Sequence, residues 1–159
     1  MISISEEWPK SYAHLWLLLN EFPENNFDDD GPKTFDLFSR DMLQRRKAGE
    51  SLYMARQNGE VIGYVGYIPV NHRLGLFHGI CFAKRVRGTG AAHKAVRMLI
   101  DDLFSRGVEK ISATFFAHNE RVFRFLAHLG AVEEGLLKGH TMQKNKAVDM
   151  RLVAIRKVG

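Results

Sequence analysis

Apolar residues recur along the chain at two spacings, one helical and one strand-like, and their alternation sets out the elements. Ile2 and Ile4 alternate with serine and predict a short edge strand. Tyr12, Leu15, Trp16 and Leu19 predict a helix over about residues 9–20, with Pro9 in its first turn. Phe35, Phe38, Met42 and Leu43 predict a second helix closed by Gly49, which stands where helices commonly end. Between the two helices, the segment from Glu21 to Pro32 breaks regular structure and carries Glu21, Glu24, Asp28, Asp29 and Asp30.

Strand patterns then take over. Ser51 to Arg56 and Val61 to Ile68 flank Gln57-Asn58-Gly59-Glu60, and Asn-Gly between two such runs predicts a tight hairpin. Leu74 to Phe82 is a third apolar run. Ala95, Val96, Leu99, Ile100, Leu103 and Phe104 share one face of a long helix that Gly107 closes, with Met98 and Trp16 also assigned to helical core faces. Lys110 to Ala117 reads as a strand, and Val122, Phe123, Phe125, Leu126 and Leu129 as the stripe of a helix that Asn119 opens and Gly130 ends. Two last strands, Ala131 to Lys138 and Ala147 to Arg156, surround a polar loop from Gly139 to Lys146. The order is β-α-α-β-β-β-α-β-α-β-β, a mixed α/β layered architecture.

Length and composition narrow the class. The 159 residues, 45% of them apolar, suit one domain over residues 1–159 with a real core. No apolar run is long enough to cross a bilayer, and Met1 to Glu7 lacks the basic-then-apolar order of a secretion signal, so a cytoplasmic protein with no membrane partner is expected. The lone Cys81 allows no internal disulfide. A net charge of +5 points to an anionic partner. Nucleic acid is not expected, because the basic residues form no block and no nucleic-acid motif is present.

One stretch concentrates the anion-binding chemistry. Lys84-Arg85-Val86-Arg87 runs into Gly88-Thr89-Gly90-Ala91-Ala92, and a helix begins at once. Glycine lets a backbone approach an oxyanion closely, and the first N–H groups of a helix have no internal partner. Arg85 and Arg87 can add charge-assisted contacts. The stretch lacks the Gly-Lys-Ser/Thr ending of a P-loop, and His93 stands where a dinucleotide fingerprint needs its third glycine. An ordinary glycine-rich helix start is the plain alternative.

This turn, set between a strand and a long helix, followed by a strand, an Asn-opened helix ending in Leu-Gly and two closing strands, resembles the GNAT superfamily of N-acetyltransferases from about Ser51 onward. The resemblance implies a GNAT-like acyl-CoA N-acyltransferase fold, a mostly antiparallel twisted sheet flanked by helices. It also implies acetyl-CoA as donor and no metal. The family's Gln/Arg-x-x-Gly-x-Gly/Ala signature, which holds the cofactor pyrophosphate, falls on Arg87, Gly88, Thr89, Gly90, Ala91 and Ala92. A second register beginning at Arg85 also satisfies it. By the same resemblance, the main chain at Ile80, Cys81 and Phe82 would hold the pantetheine arm and polarise the acetyl carbonyl, a task for fixed N–H groups in a water-poor cleft. Cys81 as an acetylated nucleophile is a weaker alternative. Asn119 matches the asparagine that contacts the CoA arm, although an asparagine there also serves as an N-cap, and either Asn119 or a buried solvent molecule is the candidate to serve the leaving thiolate.

One position departs from the family. Many members carry a tyrosine seven residues beyond the asparagine to protonate the leaving thiolate; here that residue is Leu126. Leucine also occurs there in the ribosomal-protein alanine acetyltransferases, a pointer to a protein α-amine. For the base, histidine is the residue type that titrates in the useful range, and His78 lies on the same run as the carbonyl-binding segment, with an outward or packed histidine as the alternative and His118 as a second candidate. The acidic segment Glu21 to Asp30 would draw a cationic amine to the acceptor side, or is simply solvated. No His-x-x-x-His pair or Cys/His cluster suggests a metal. The expected function is N-acetylation of a primary amine; a degenerate relative that binds CoA or a protein without efficient catalysis is the alternative. The sequence is silent on oligomeric state, and a homodimer is compatible with it.

Overall fold

The computed structural model describes residues 1–22 and 34–159. Over these residues the elements follow the expected order: β1 (Ile2–Glu6), α1 (Ala13–Asn20), α2 (Phe35–Lys47), β2 (Ser51–Gln57), β3 (Glu60–Pro69), β4 (Leu74–Phe82), α3 (Ala91–Ser105), β5 (Lys110–Phe116), α4 (Glu120–His128), β6 (Val132–Gln143) and β7 (Lys146–Arg156). A single turn of 3₁₀ helix, Lys84–Val86, links β4 to the glycine-rich turn. The seven strands form one sheet in the order β1-β2-β3-β4-β5-β7-β6, with every neighbour antiparallel except β4 and β5, which run parallel. The fold is therefore mixed α/β, a mostly antiparallel sheet flanked by four helices.

Two cores lie on opposite faces of the sheet. Strand alternation sends Leu52, Met54, Ile62 and Tyr64 to one face, under Leu15 and Leu18 of α1 and Phe38 and Met42 of α2. It sends Tyr53, Val65, Tyr67 and Phe77 to the other, against Val96, Leu99, Ile100 and Leu103 of α3 and Leu126 of α4. Because β2 and β3 are covered on both faces, they read as nearly continuous apolar runs. The Asn-Gly hairpin forms as expected, with Asn58 and Gly59 both at positive φ, 53° and 84°.

Several boundaries and facings differ from expectation. Helix α1 begins at Ala13 rather than near Pro9, since Tyr12 adopts a non-helical cap conformation. Leu18 is buried there, although the stripe chosen from the sequence omitted it. In α2 only Phe38 and Met42 are buried, while Phe35 and Leu43 are exposed, because a single narrow stripe reaches the sheet. Met98 is likewise exposed rather than core. The polar stretch Gly139 to Lys146 is no loop: β6 continues to Gln143, absorbs a register shift between Leu137 and Thr141 around Gly139 at φ 54°, and turns at Lys144 and Asn145. Exposed polar residues hide strand alternation, and Lys-Asn lacks the glycine that advertises such a turn.

Candidate active site

The site follows from the one parallel pair. Strands β4 and β5 are hydrogen-bonded only from Leu74, Gly75 and Leu76 to Lys110, Ile111 and Ser112. Beyond that point β4 stays with β3, pairing Ile80 with Val65, Cys81 with Tyr64 and Phe82 with Gly63. Strand β5 stays with β7, pairing Thr114 with Leu152 and Phe116 with Met150. The sheet thus splits into a V whose arms are the carboxyl-terminal halves of two parallel strands. Each arm feeds a helix, α3 after β4 and α4 after β5, so both helix N-termini stand at the open end. Ligands of α/β sheets bind at such a divergence, beyond the carboxyl ends of parallel strands. Ile80, Cys81 and Phe82 lie on the β4 arm.

At the mouth, the turn places Gly88 at φ 73° and Gly90 at φ 83°, both left-handed, and a Cβ added at either would meet nothing within 4 Å among the described residues. Gly90 caps α3 with no side-chain bond, and the first helical bond runs from the Lys94 N–H to the Gly90 carbonyl at 3.0 Å. Among the described residues, the main-chain N–H groups of Gly88, Gly90, Ala92 and His93 have no acceptor. Thr89 braces the turn, its hydroxyl donating to the Val86 carbonyl at 2.6 Å and accepting from the Ala91 N–H at 3.3 Å. Ala91 is buried beneath the turn. An arrangement of main-chain donors and a helix dipole of this kind can hold an anion.

The flanking side chains are already engaged. The Arg87 guanidinium stacks on Phe22, with Cζ 3.7 Å from the ring centroid, which holds the positive charge beside the turn. Glu21 accepts from the Lys84 N–H at 2.6 Å and ties the end of α1 to the same turn. Arg85 turns toward exposed Glu60 at 3.4 Å. Of the acidic segment from Glu21 to Asp30, Glu24, Asp28, Asp29 and Asp30 lie outside the described residues.

The β5 arm ends at Asn119, whose Oδ1 accepts from the Val122 N–H at 3.2 Å and so caps α4. Leu126 is 1% exposed in the core beneath α4, packed rather than directed to solvent. His118 stacks on Phe116 and has Nε2 2.9 Å from the Gln143 side-chain oxygen, so it serves the end of β6. The Cys81 thiol lies buried against Tyr64, and burial pushes it up to about 12. At neutral pH it is a thiol, not a thiolate, which opposes the acetyl-cysteine alternative.

His78 gains a setting that the sequence did not show. The register slips between Val65 and Tyr67, so that His78 and Gly79 together oppose the single residue Gly66 in a β-bulge, with Gly79 at φ 86°. The imidazole Nδ1 meets the Glu50 carboxylate in a short contact, and its side chain is 52% exposed. The other Glu50 oxygen takes Arg45 Nε at 2.5 Å, while Arg45 Nη2 donates to the His78 carbonyl at 2.8 Å. Burial raises the Glu50 carboxyl, but the hydrogen bonds and charges of His78 and Arg45 outweigh it and hold the group below the usual range. Sequence reasoning missed Glu50 and Arg45. A glutamate one residue past a helix-ending glycine was the available signal, too common to single out.

Among the described residues, no helix is long and apolar enough to cross a membrane, and no group of three or more His, Cys, Asp or Glu side chains is arranged to hold a metal. A search of curated protein sequences finds no match. Solved structures are similar over nearly the whole chain. A spermidine N-acetyltransferase from Vibrio cholerae, in complex with CoA and spermine, has a TM-score of 0.80 at 19% identity, covering 98% of this chain and 95% of its own. A ribosomal-protein-alanine N-acetyltransferase from Brucella melitensis has a TM-score of 0.77 at 19% identity, covering 97% and 99%. An N-acetyltransferase from Staphylococcus aureus Mu50 has a TM-score of 0.76 at 16% identity, covering 98% of each chain. At these identities the likeness is one of fold. The family model described as acetyltransferase (GNAT) family matches residues 11–131, reaching back through both amino-terminal helices that precede the resemblance read from Ser51. The chain belongs to the GNAT acetyltransferase family.

Proposed function

We propose that the protein acts as one domain over residues 1–159 and transfers acetyl from acetyl-CoA directly to a primary amine, on a small molecule or a protein α-amine. The observation that carries this reading is the V between β4 and β5, with N–H groups of the glycine turn at its mouth that have no acceptor among the described residues. In this reading Arg87, Gly88, Thr89, Gly90, Ala91 and Ala92 hold the pyrophosphate. The main chain of Ile80, Cys81 and Phe82 holds the pantetheine arm and the acetyl carbonyl, and Asn119 contacts the arm near sulfur. The lone cysteine suits the reducing cytoplasm.

The chemistry is an acyl transfer. The neutral amine attacks the thioester carbon, negative charge grows on the carbonyl oxygen, and main-chain N–H groups on the β4 arm stabilise it. Nitrogen loses its proton to His78, and the C–S bond breaks to give the amide and CoA thiolate, which takes a proton from solvent. An α-amine near 7.7 to 8.0 is roughly 10 to 20% neutral at pH 7, whereas lysine near 10.4 is about 0.04% neutral. A base therefore matters most for side-chain amines.

Calorimetry with CoA tests the donor half: binding is expected for the wild type and lost in Arg87→Glu and Gly90→Glu, with none to DNA. Free-thiol release from acetyl-CoA across amines that include spermidine and an alanine-terminated peptide tests the acceptor half. The buried Leu126 in place of a tyrosine favours one second reading, a CoA-binding relative without efficient catalysis. Tight CoA binding with no thiol release above background for any amine would select it.

A further inference from the structure

Glu50 occupies an unusual place. Helix α2 ends in a Schellman motif: the Glu50 N–H bonds the Arg45 carbonyl and the Gly49 N–H bonds the Arg46 carbonyl, both at 3.1 Å, around Gly49 at φ 92°. That turn delivers Glu50 beneath the sheet at the level of the β4 bulge, where its side chain is 3% exposed. A carboxylate buried so deeply must have both oxygens engaged, and Arg45 and His78 engage one each. Gly66 makes room for the group, since a Cβ there would lie 2.2 Å from the His78 carbonyl oxygen, 2.7 Å from Arg45 Nη2 and 3.2 Å from Glu50 Oε2.

The chemistry of the contact sets the histidine's tautomer. A carboxylate only accepts, so the Nδ1 that meets it carries the proton, and the neutral ring then keeps its lone pair on Nε2. Resting on the acetyl-transfer reading above, we propose that Glu50 is a positioning residue for the base: it fixes His78 with Nε2 open as the proton acceptor and stabilises the imidazolium formed, while Arg45 anchors both Glu50 and the bulge. The proton leaves the attacking nitrogen for Nε2 and departs to solvent after each turnover.

Among the described residues, other groups near His78 do not compete for this role. On α2, Asp41 lies 3.9 Å from Arg45 and not on the ring. Helix α1 carries exposed His14, and Glu21 beyond its end is bonded to Lys84. From β3, Tyr64 pairs with Cys81 and burial holds it protonated. Strand β5 presents Ser112 and Thr114 on that face.

Long-range proton–nitrogen NMR of the resting protein, run beside steady-state kinetics, tests the proposal. The wild type is expected to show neutral His78 as the Nδ1–H tautomer. In Glu50→Gln, where no carboxylate faces Nδ1, the single tautomer should give way to a mixture of the two neutral forms. The plateau kcat should drop about 10-fold in Glu50→Gln and about 100-fold in His78→Gln, with the double variant no worse than His78→Gln alone. Glu50→Asp should recover part of the loss. An Nε2–H His78 in an active wild-type enzyme overturns the proposal without any variant having to fold. So does a Glu50→Gln protein that keeps the single Nδ1–H tautomer together with wild-type kcat, or full additivity of the two losses. If the paired tautomer is seen but no amine is acetylated, the acetyl-transfer reading fails and the catalytic use of the pair fails with it.

Discussion

Replacing Gly66 by alanine adds one methyl group at the point where the sheet and α2 meet the β4 bulge. The new Cβ would sit 2.2 Å from the His78 carbonyl oxygen, a main-chain atom that cannot swing aside as a flexible side chain can. Relief to an ordinary contact needs a displacement of about 1 Å, shared between the two strands. Gly66 is not in the left-handed region, so the alanine carries no conformational penalty of its own and the cost is steric. Overpacking of this kind costs about 1–3 kcal/mol, which in a protein of this size lowers Tm by roughly 2–12 °C. The rate should suffer more than the stability, because a shift of about 1 Å at a positioned group can cost about 100-fold. Gly135→Ala is the control: its Cβ meets nothing within 4 Å in the same sheet, and its stability should stay within about 0.5 kcal/mol of wild type. Differential scanning calorimetry and thiol-release kinetics on the three proteins give both quantities. A Gly66→Ala protein with wild-type Tm and wild-type kcat would refute the placement of the bulge against α2.

Three further outcomes are expected. With its thiol raised from 9.0 to about 12, Cys81 holds about a thousandth of the thiolate of an unshifted cysteine, so iodoacetamide should label the native protein slowly by intact mass; labelling within minutes at neutral pH, or an acetyl group trapped on Cys81, would contradict this. Leu126→Ala should destabilise urea unfolding by about 2–5 kcal/mol, as for any buried leucine, whereas a loss below about 1 kcal/mol would place Leu126 at the cleft instead of in the core. The Glu50 carboxyl titrates lower when folded than when unfolded, so its contribution is complete above pH 4.5 and fades as pH falls below it. The stability gap between wild type and Glu50→Gln should therefore narrow in acid, and a gap that widened there would reverse the sign of the argument.

Much of this protein was written in local sequence. Periodicity of apolar residues set the element order, Asn58-Gly59 set a hairpin, and two glycines between an arginine and a helix set a left-handed turn in front of α3, because each depends on neighbours in the chain. Facing was less legible where the tertiary contact is narrow, so Phe35, Leu43 and Met98 are exposed despite helical spacing. The stretch from Gly139 to Gln143 hid its strand because a solvent-facing edge leaves little alternation to read.

The open V had no local signature, since it depends on β4 and β5 choosing different partners after three paired residues. The setting of His78 lay further beyond reach. Alternation alone left its direction open, and a bulge, a helix-ending turn and the missing side chain of Gly66 jointly brought Glu50 and Arg45 to it. Leu126 shows the same division: the sequence marked where a tyrosine was absent, and only packing decided that the position is core. Local chemistry specifies elements and backbone turns; side-chain partners drawn from distant segments exist only once the chain has closed on itself.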